Sequence, residues 1–202
     1  MHKKVNEGHG RLRAAGALSV GSTTLPELSQ WPFTEGVTFG RTRNPWDVTR
    51  TSGGSPGGAA AAVAGGLVAA ARASDGGGSI RIPASYSGLV GLEPTRDLVS
   101  MAPTDGHWHG LSVAGCLTRS VEDTVAMLSV LQDTPLVLSD PGPLRIAWSV
   151  KTPLPSPVDP PVRAAPDGVV RPPGALGPPT GPAAPFRENP AARRAPRSEP
   201  HR

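Results

Sequence analysis

The 202-residue sequence has little with which to cross-link itself, span a bilayer or fill a large aromatic core. It holds one cysteine, Cys116, so an internal disulfide is excluded and no oxidising compartment is implied. Aromatics are scarce: four Trp, three Phe and one Tyr. The longest apolar run, Ala59 to Ala71, is 13 residues long and contains two glycines, too short for a transmembrane helix. The first ten residues carry basic side chains with no apolar stretch behind them, which does not fit a secretory signal. Together these absences give the expectation of a soluble, cytoplasmic protein without a membrane partner.

Lysine is missing altogether between residues 5 and 150. The net charge of +4 invites a nucleic-acid reading, but its distribution argues against one. Residues 1–150 hold 12 Lys/Arg and 12 Asp/Glu, whereas residues 151–202 hold 8 and 4. The excess therefore lies in the last 52 residues, which also contain 15 prolines and a single aromatic, Phe186. A segment so poor in apolar side chains cannot bury enough surface to offset its chain entropy, and disorder is expected for 151–202. Pro, Ala, Arg and Gly make up 34 of these 52 residues. A GC-rich gene read out of frame yields such a composition, so a frame shift after Lys151 is one expectation and a genuine Pro-rich linker the other.

What is abundant is glycine and alanine, arranged in two nests. Thr51-Ser-Gly-Gly-Ser-Pro-Gly-Gly58 precedes an alanine run, and Asp75-Gly-Gly-Gly-Ser-Ile-Arg81 follows it. Around them, helical and strand-like pieces alternate, which predicts an α/β layered architecture for residues 1–150. Helices are expected over Glu7–Ala15, stopped by Gly16, over Gly57–Gly65, and after a Ser120 N-cap, with Val121, Val125, Leu128 and Leu131 as the apolar face. Strands are expected over Ala17–Gly21, Leu67–Ala73 and Leu89–Leu92. Residues 31–47 read as irregular.

Ser55 and Ser79 stand 24 residues apart. A nine-residue helix leaving the first nest covers roughly 14 Å. A strand of five to seven residues returns about as far. Both nests then meet at one edge of the sheet, where open α/β sheets bind ligands. Consecutive N–H groups at Gly76, Gly77 and Gly78 can form an anion-binding nest, and a serine next to it is placed as a nucleophile. Phosphate binding is the rival use of such loops, but no G-x-x-x-x-G-K-[ST] is present.

Gly-Gly-Ser-x-Gly-Gly, the 24-residue spacing and Asp-Gly-Gly-Gly-Ser-Ile-Arg-Ile-Pro-Ala-Ser together resemble the amidase signature family of amide hydrolases. The likeness extends through Arg11–Ala17, Thr23–Glu27, Asn44–Asp47, Gly88–Thr95 and Gly115–Asp123, over roughly residues 10–150. It implies a partial amidase-signature fold: a mixed sheet flanked by helices, with a small-molecule amide as substrate and no cofactor or metal. It further implies Ser79 as the nucleophile that becomes acylated, and Ser55 as a proton relay preceded by a cis peptide bond. Gly76, Gly77 and Gly78 would form the oxyanion hole, with Asp75 and Arg81 in support.

Three residues depart from the family pattern. The lysine that completes a Ser-Ser-Lys triad is not found, Pro56 replaces a common serine, and Glu93 replaces a common lysine. The chain resembles a central slice of an amidase, with impaired hydrolysis expected. The alternatives are a non-catalytic remnant of a decayed gene and a protein like the A subunit of a tRNA-dependent amidotransferase, although Ile82 stands where those carry Gln. Elsewhere, His107 and His109 flank Trp108 in what reads as a cleft loop rather than a metal site. Cys116 reads as a small buried side chain. Trp31, Phe33 and Phe39 read as core packing, with an acyl pocket as the alternative. Nothing in the sequence indicates an oligomeric state.

Overall fold

A computed structural model describes residues 6–104, 106–140, 142 and 157–170. The chain divides into two units, residues 1–138 and 139–202.

In the first unit, α1 (Glu7–Ala14) begins at Asn6, whose Oδ1 accepts the N–H of Gly8 at 3.1 Å. Glu7 lies in the first turn and Arg11 and Arg13 in the last, matching the helix dipole at both ends. Arg11 also donates to the carbonyl of Leu131 at 2.8 Å and so binds the end of a later helix to this one. The strand expected over Ala17–Gly21 does not form. Leu18 there is 91% exposed, and no neighbouring strand among the described residues offers it a ladder.

Residues 35–51, read as irregular up to 47, instead make two small antiparallel pairs: β1 (Glu35–Gly36) with β2 (Gly40–Arg41), and β3 (Arg43–Asn44) with β4 (Asp47–Thr51). Side chains of the Asn44–Asp47 turn shape it: Asn44 Oδ1 accepts from Trp46 N, and Asp47 Oδ1 accepts from Thr49 N. The same turn grips a helix described below, with Asn44 donating to the Tyr86 carbonyl at 2.7 Å and Trp46 Nε1 to that of Ser87 at 2.8 Å.

The alanine run forms α2 (Gly57–Ala64), as the propensity of alanine dictates. It ends in a two-bond cap, Gly66 N–H to Val63 O and Leu67 N–H to Ala62 O. That cap explains a shift in the next element. Leu67, expected to open a strand, is bound to the helix end and is 80% exposed, so β5 spans Ala70–Asp75. After the second glycine nest comes α3 (Arg81–Ser87), which the sequence reading did not anticipate, and then β6 (Val90–Leu92). A short turn of tight helix at His107–Gly110 leads into β7 (Val113–Thr118), also unanticipated.

β7 is the centre of the sheet. The strand order is β5-β7-β6, and both ladders are antiparallel, with Asp75 opposite Val113 and Leu92 opposite Cys116. All six residues of β7 are buried, and they alternate between two cores. Leu117 packs with Ala59, Ala60, Ala73, Ile80 and Ala84 under α2 and α3. Ala114 and Cys116 pack with Val99, Leu128 and Leu131 on the other face. The last two come from α4 (Val121–Leu131), capped by Ser120 Oγ, which accepts from Asp123 N at 3.1 Å. Its buried stripe is Thr124, Leu128 and Leu131; Val121, expected on that face, is exposed. Thr124 is tolerated inside because its hydroxyl meets Thr118 Oγ1 at 2.6 Å and donates to Ser120 O at 3.0 Å.

The architecture is therefore α/β, a sheet with helices against both faces. In the second unit, residues 160–170 of the segment read as a disordered tail form α5 (Pro160–Val170). Prolines occupy its first two positions, where their missing N–H groups cost no helical bond. Most of the remaining tail, and the proposed frame-shift point at Lys151, lie outside the described residues. No described helix is long and apolar enough to cross a membrane.

Candidate active site

The first glycine turn, Ser52–Pro56, is buried along its whole length. A single hydroxyl spans it. Thr34 Oγ1 accepts the N–H of Gly57 at 2.9 Å and donates to the carbonyl of Gly53 at 2.9 Å. With the N–H of Gly58 donating to Thr24 O, the first two N–H groups of α2 are satisfied from outside the helix. Gly57 must be glycine, because an added Cβ would strike Thr34 Oγ1 and come within 2.6 Å of Ser52 Oγ. Gly53 has φ +82°, and a Cβ there would lie 2.8 Å from Cα of Pro83, so this turn rests against the first turn of α3.

That contact bears on the two serines. α3 begins two residues after Ser79, and Ile80 shares a core with Ala59 and Ala60, which follow Ser55 by four and five residues. The Ser55 turn thus abuts the helix that follows Ser79. Ser55 is 6% exposed and Ser79 half-buried. No hydrogen bond joins their hydroxyls, and neither hydroxyl has a hydrogen-bond partner among the described residues. The cis peptide bond lies between Ser55 and Pro56, after the serine rather than before it.

The second turn is organised by Asp75, which is fully buried at the end of β5. Its carboxylate accepts from Gly78 N at 2.5 Å, Ile80 N at 3.0 Å and Arg81 N at 3.4 Å, so it caps α3 from six residues upstream. Arg81 Nε and Nη2 donate to the same carboxylate at 3.0 and 3.2 Å. Burial alone pushes this carboxyl up. The bonds from Arg81, Gly78 and Ile80 and the guanidinium charge outweigh burial and hold it below the ordinary carboxylate range. The bond to Asp75, foremost among the causes, likewise raises Arg81 above the usual guanidinium value. Arg81 also reaches Glu93 Oε2 at 2.5 Å.

The three glycines therefore differ. The N–H of Gly78 faces Asp75, while those of Gly76 and Gly77 have no partner among the described residues. Trp108 lies beside the turn, since a Cβ on Gly76 would be 3.4 Å from the indole and 3.1 Å from Ser112 Oγ. Ser112 in turn stands 3.2 Å from His107 Nδ1. Ser112 also lines a cavity of about 160 Å³, together with Arg96, Val99, Met101 and Val113. Near the first turn, the backbone of Gly54 touches Trp31 and Phe33, whose rings stack with centroids 5.7 Å apart. These rings, with Phe39 at 78% exposure, are surface groups and not core as expected. Cys116 is buried, as read from the sequence, and burial pushes its thiol up to about 11. None of the three lysines falls among the described residues.

Thr34 and Glu93 were not singled out as site residues by sequence reasoning. Thr34 stands in Pro32-Phe-Thr-Glu35, with no spacing that marks it. Glu93 was noticed only as a departure from a family pattern.

The profile of the Amidase family matches residues 8–158. The Mycobacterium tuberculosis (strain H37Rv) protein named "Putative amidase AmiB2" is 53% identical over 156 residues, covering 73% of this chain and 34% of that protein. Among solved structures, 6-aminohexanoate cyclic dimer hydrolase complexed with substrate is similar at 36% identity and TM-score 0.63, covering 69% of this chain and 33% of that one. A crystal structure of an amidase matches at 34% identity and TM-score 0.64, covering 73% and 33%. The sheet with helices on both faces thus falls in the class of amidase-signature folds. The chain belongs to the amidase family. It spans about a third of the length of the curated relatives it matches.

Proposed function

We propose that this chain carries the serine centre of an amide C–N hydrolase. The observation that supports it most is the seating of the Gly53–Ser55 turn against the first turn of α3, directly after Ser79. In this reading Ser79 Oγ attacks the amide carbon while its proton passes toward Ser55. The carbonyl oxygen, now negative, takes the N–H groups of Gly76 and Gly77, which have no other partner among the described residues. Gly78 keeps its bond to Asp75 and so fixes the shape of the turn. Collapse of the tetrahedral species breaks the C–N bond, the amine leaves with a proton, and water releases the acid from Ser79.

The indole of Trp108 flanks the second turn beside Gly76, while Gly54 of the first turn packs on the backbone of Trp31 and Phe33. That fits an amide with an apolar acyl group. No lysine lies among the described residues, so this reading names no general base beyond Ser55. Covalent capture of Ser79 by a reactive reagent is therefore expected to outrun turnover of an unactivated amide.

The test is to treat the purified full chain with a fluorophosphonate and locate the adduct by mass spectrometry. The expected adduct is on Ser79, absent in Ser79→Ala, with amide hydrolysis slow or undetected. No adduct and no hydrolysis would favour the remnant of a decayed gene. Vigorous amide turnover would overturn the claim of impairment.

A further inference from the structure

Asp75 sets the shape of the second turn, but it does not stand alone. Its partner Arg81 is a half-exposed side chain, 54% accessible, and a half-exposed guanidinium held by one carboxylate competes continually with water. The structure supplies a second anchor. Nη2 of Arg81 donates to Asp75 Oδ1 at 3.2 Å and lies 2.5 Å from Glu93 Oε2, so one nitrogen is shared between two carboxylates. Glu93 is itself well placed to hold still. It follows Leu92, which is fixed opposite Cys116 in the central ladder, and precedes Pro94, which is buried.

We propose that Glu93 is a positioning residue for the second glycine turn, acting through Arg81 on Asp75. The chain of contacts runs Glu93, Arg81, Asp75 and then the N–H groups of Gly78, Ile80 and Arg81. Held this way, Asp75 keeps Gly78 turned toward itself and leaves Gly76 and Gly77 facing away. A lysine at position 93 would do the reverse, placing a second cation beside Arg81 and weakening its hold on Asp75. The acidic residue that departs from the family pattern is thus part of the machinery of the turn. The inference rests on the serine centre proposed above for its functional meaning, while its structural claim stands on these contacts.

The experiment compares the full chain with Glu93→Asp, Glu93→Gln and Glu93→Lys by two readouts. One is the exchange rate of the Arg81 Nε–H with water, followed by nitrogen-edited NMR against the backbone amides of β7. The other is the rate of fluorophosphonate capture at Ser79. Glu93→Lys is expected to speed Nε–H exchange and slow capture, each by about fivefold, the upper range for a partly exposed charge pair. Glu93→Gln falls between, Glu93→Asp restores most of both, and the β7 amides do not change. If Glu93→Lys leaves Nε–H exchange within twofold of the parent, the proposal is overturned. It is equally overturned if the β7 amides lose protection in step, because Glu93 would then be holding the fold at large. Should the parent chain show no capture at Ser79, the serine-centre reading fails, and Arg81 exchange alone still decides the role of Glu93.

Discussion

The Ser55 turn packs on the first turn of α3, the helix that follows the second glycine turn, yet the two turns are held by opposite means. The Ser55 turn is fixed by neutral groups: Thr34 bridges Gly53 and Gly57, and Thr24 takes the N–H of Gly58. The turn before Ser79 is fixed by charge, through a buried carboxylate, a guanidinium and a second acid. A neutral clasp is indifferent to pH and salt, and tolerates no extra volume. A charged clasp leaves space around the nest and depends on ionisation. The part of the site proposed to relay a proton is thus rigidly packed, and the part proposed to receive a negative oxygen is set by electrostatics.

The largest expected effect comes from breaking the charged clasp. Asp75→Asn keeps the size of the side chain but removes the charge that faces three N–H groups and Arg81. Bonds to a buried ionised acceptor are worth more than neutral ones, so a loss of about 3 kcal/mol in urea unfolding is expected. Fluorophosphonate capture at Ser79 should fall with it. The same clasp carries a pH signature. Because folding lowers the Asp75 pKa, its contribution is complete above the unfolded carboxyl value, about 3.9, and is lost as pH falls through the lower folded value. Unfolding measured between pH 7 and pH 2 should show that acid limb in the parent and lose part of it in Asp75→Asn. An unchanged limb would mean that other carboxylates govern acid unfolding.

Thr34→Val breaks the neutral clasp. It keeps the shape and strands a buried N–H and a buried carbonyl, at a cost of about 2 kcal/mol. The comparison predicts that this loss is the same at pH 5 and pH 8, and in low and high salt. A cost that grew with acidity would show that the two turns are not separately held.

The sequence revealed the parts of this arrangement that depend on composition. Alanine content was enough to predict α2, and the glycine nests, Ser120 cap and α1 with its Gly16 stop follow from local chemistry. The parts that depend on distant partners were not legible. β7 is the central strand, yet Val113-Ala-Gly-Cys-Leu-Thr118 mixes small residues with no period of two, because both of its faces are covered. α3 carries Pro83 in its first turn and looks like a loop; what starts it is Asp75, six residues away. Leu18 and Leu67 read as strand residues by hydrophobicity alone, and the structure gives neither a ladder. The glycine nests and their spacing marked the two serines, and the family resemblance gave them roles and added Asp75 with Arg81, but it could only mark Glu93 as a departure. Glu93 is connected to the site through Arg81, and no spacing rule predicts that pairing.

The smallest expected effect is also the most direct probe of the open side of the comparison. A Cβ added at Gly77 meets nothing within 4 Å, and its φ lies outside the left-handed range, whereas one at Gly57 strikes Thr34. Gly77→Ala should therefore leave stability unchanged or raise it by about 0.5 kcal/mol through a less free unfolded chain. Gly57→Ala should be destabilising, because its obstacles are buried side chains that already bond to the backbone. If the two alanine variants unfold at the same urea concentration, the contrast between a packed turn and an open one is wrong. If Gly77→Ala is stable but Ser79 is captured more slowly, the methyl group hinders the approach of the reagent on the side where the oxyanion is proposed to sit. That outcome would support the assignment of the Gly77 N–H independently of any effect on folding.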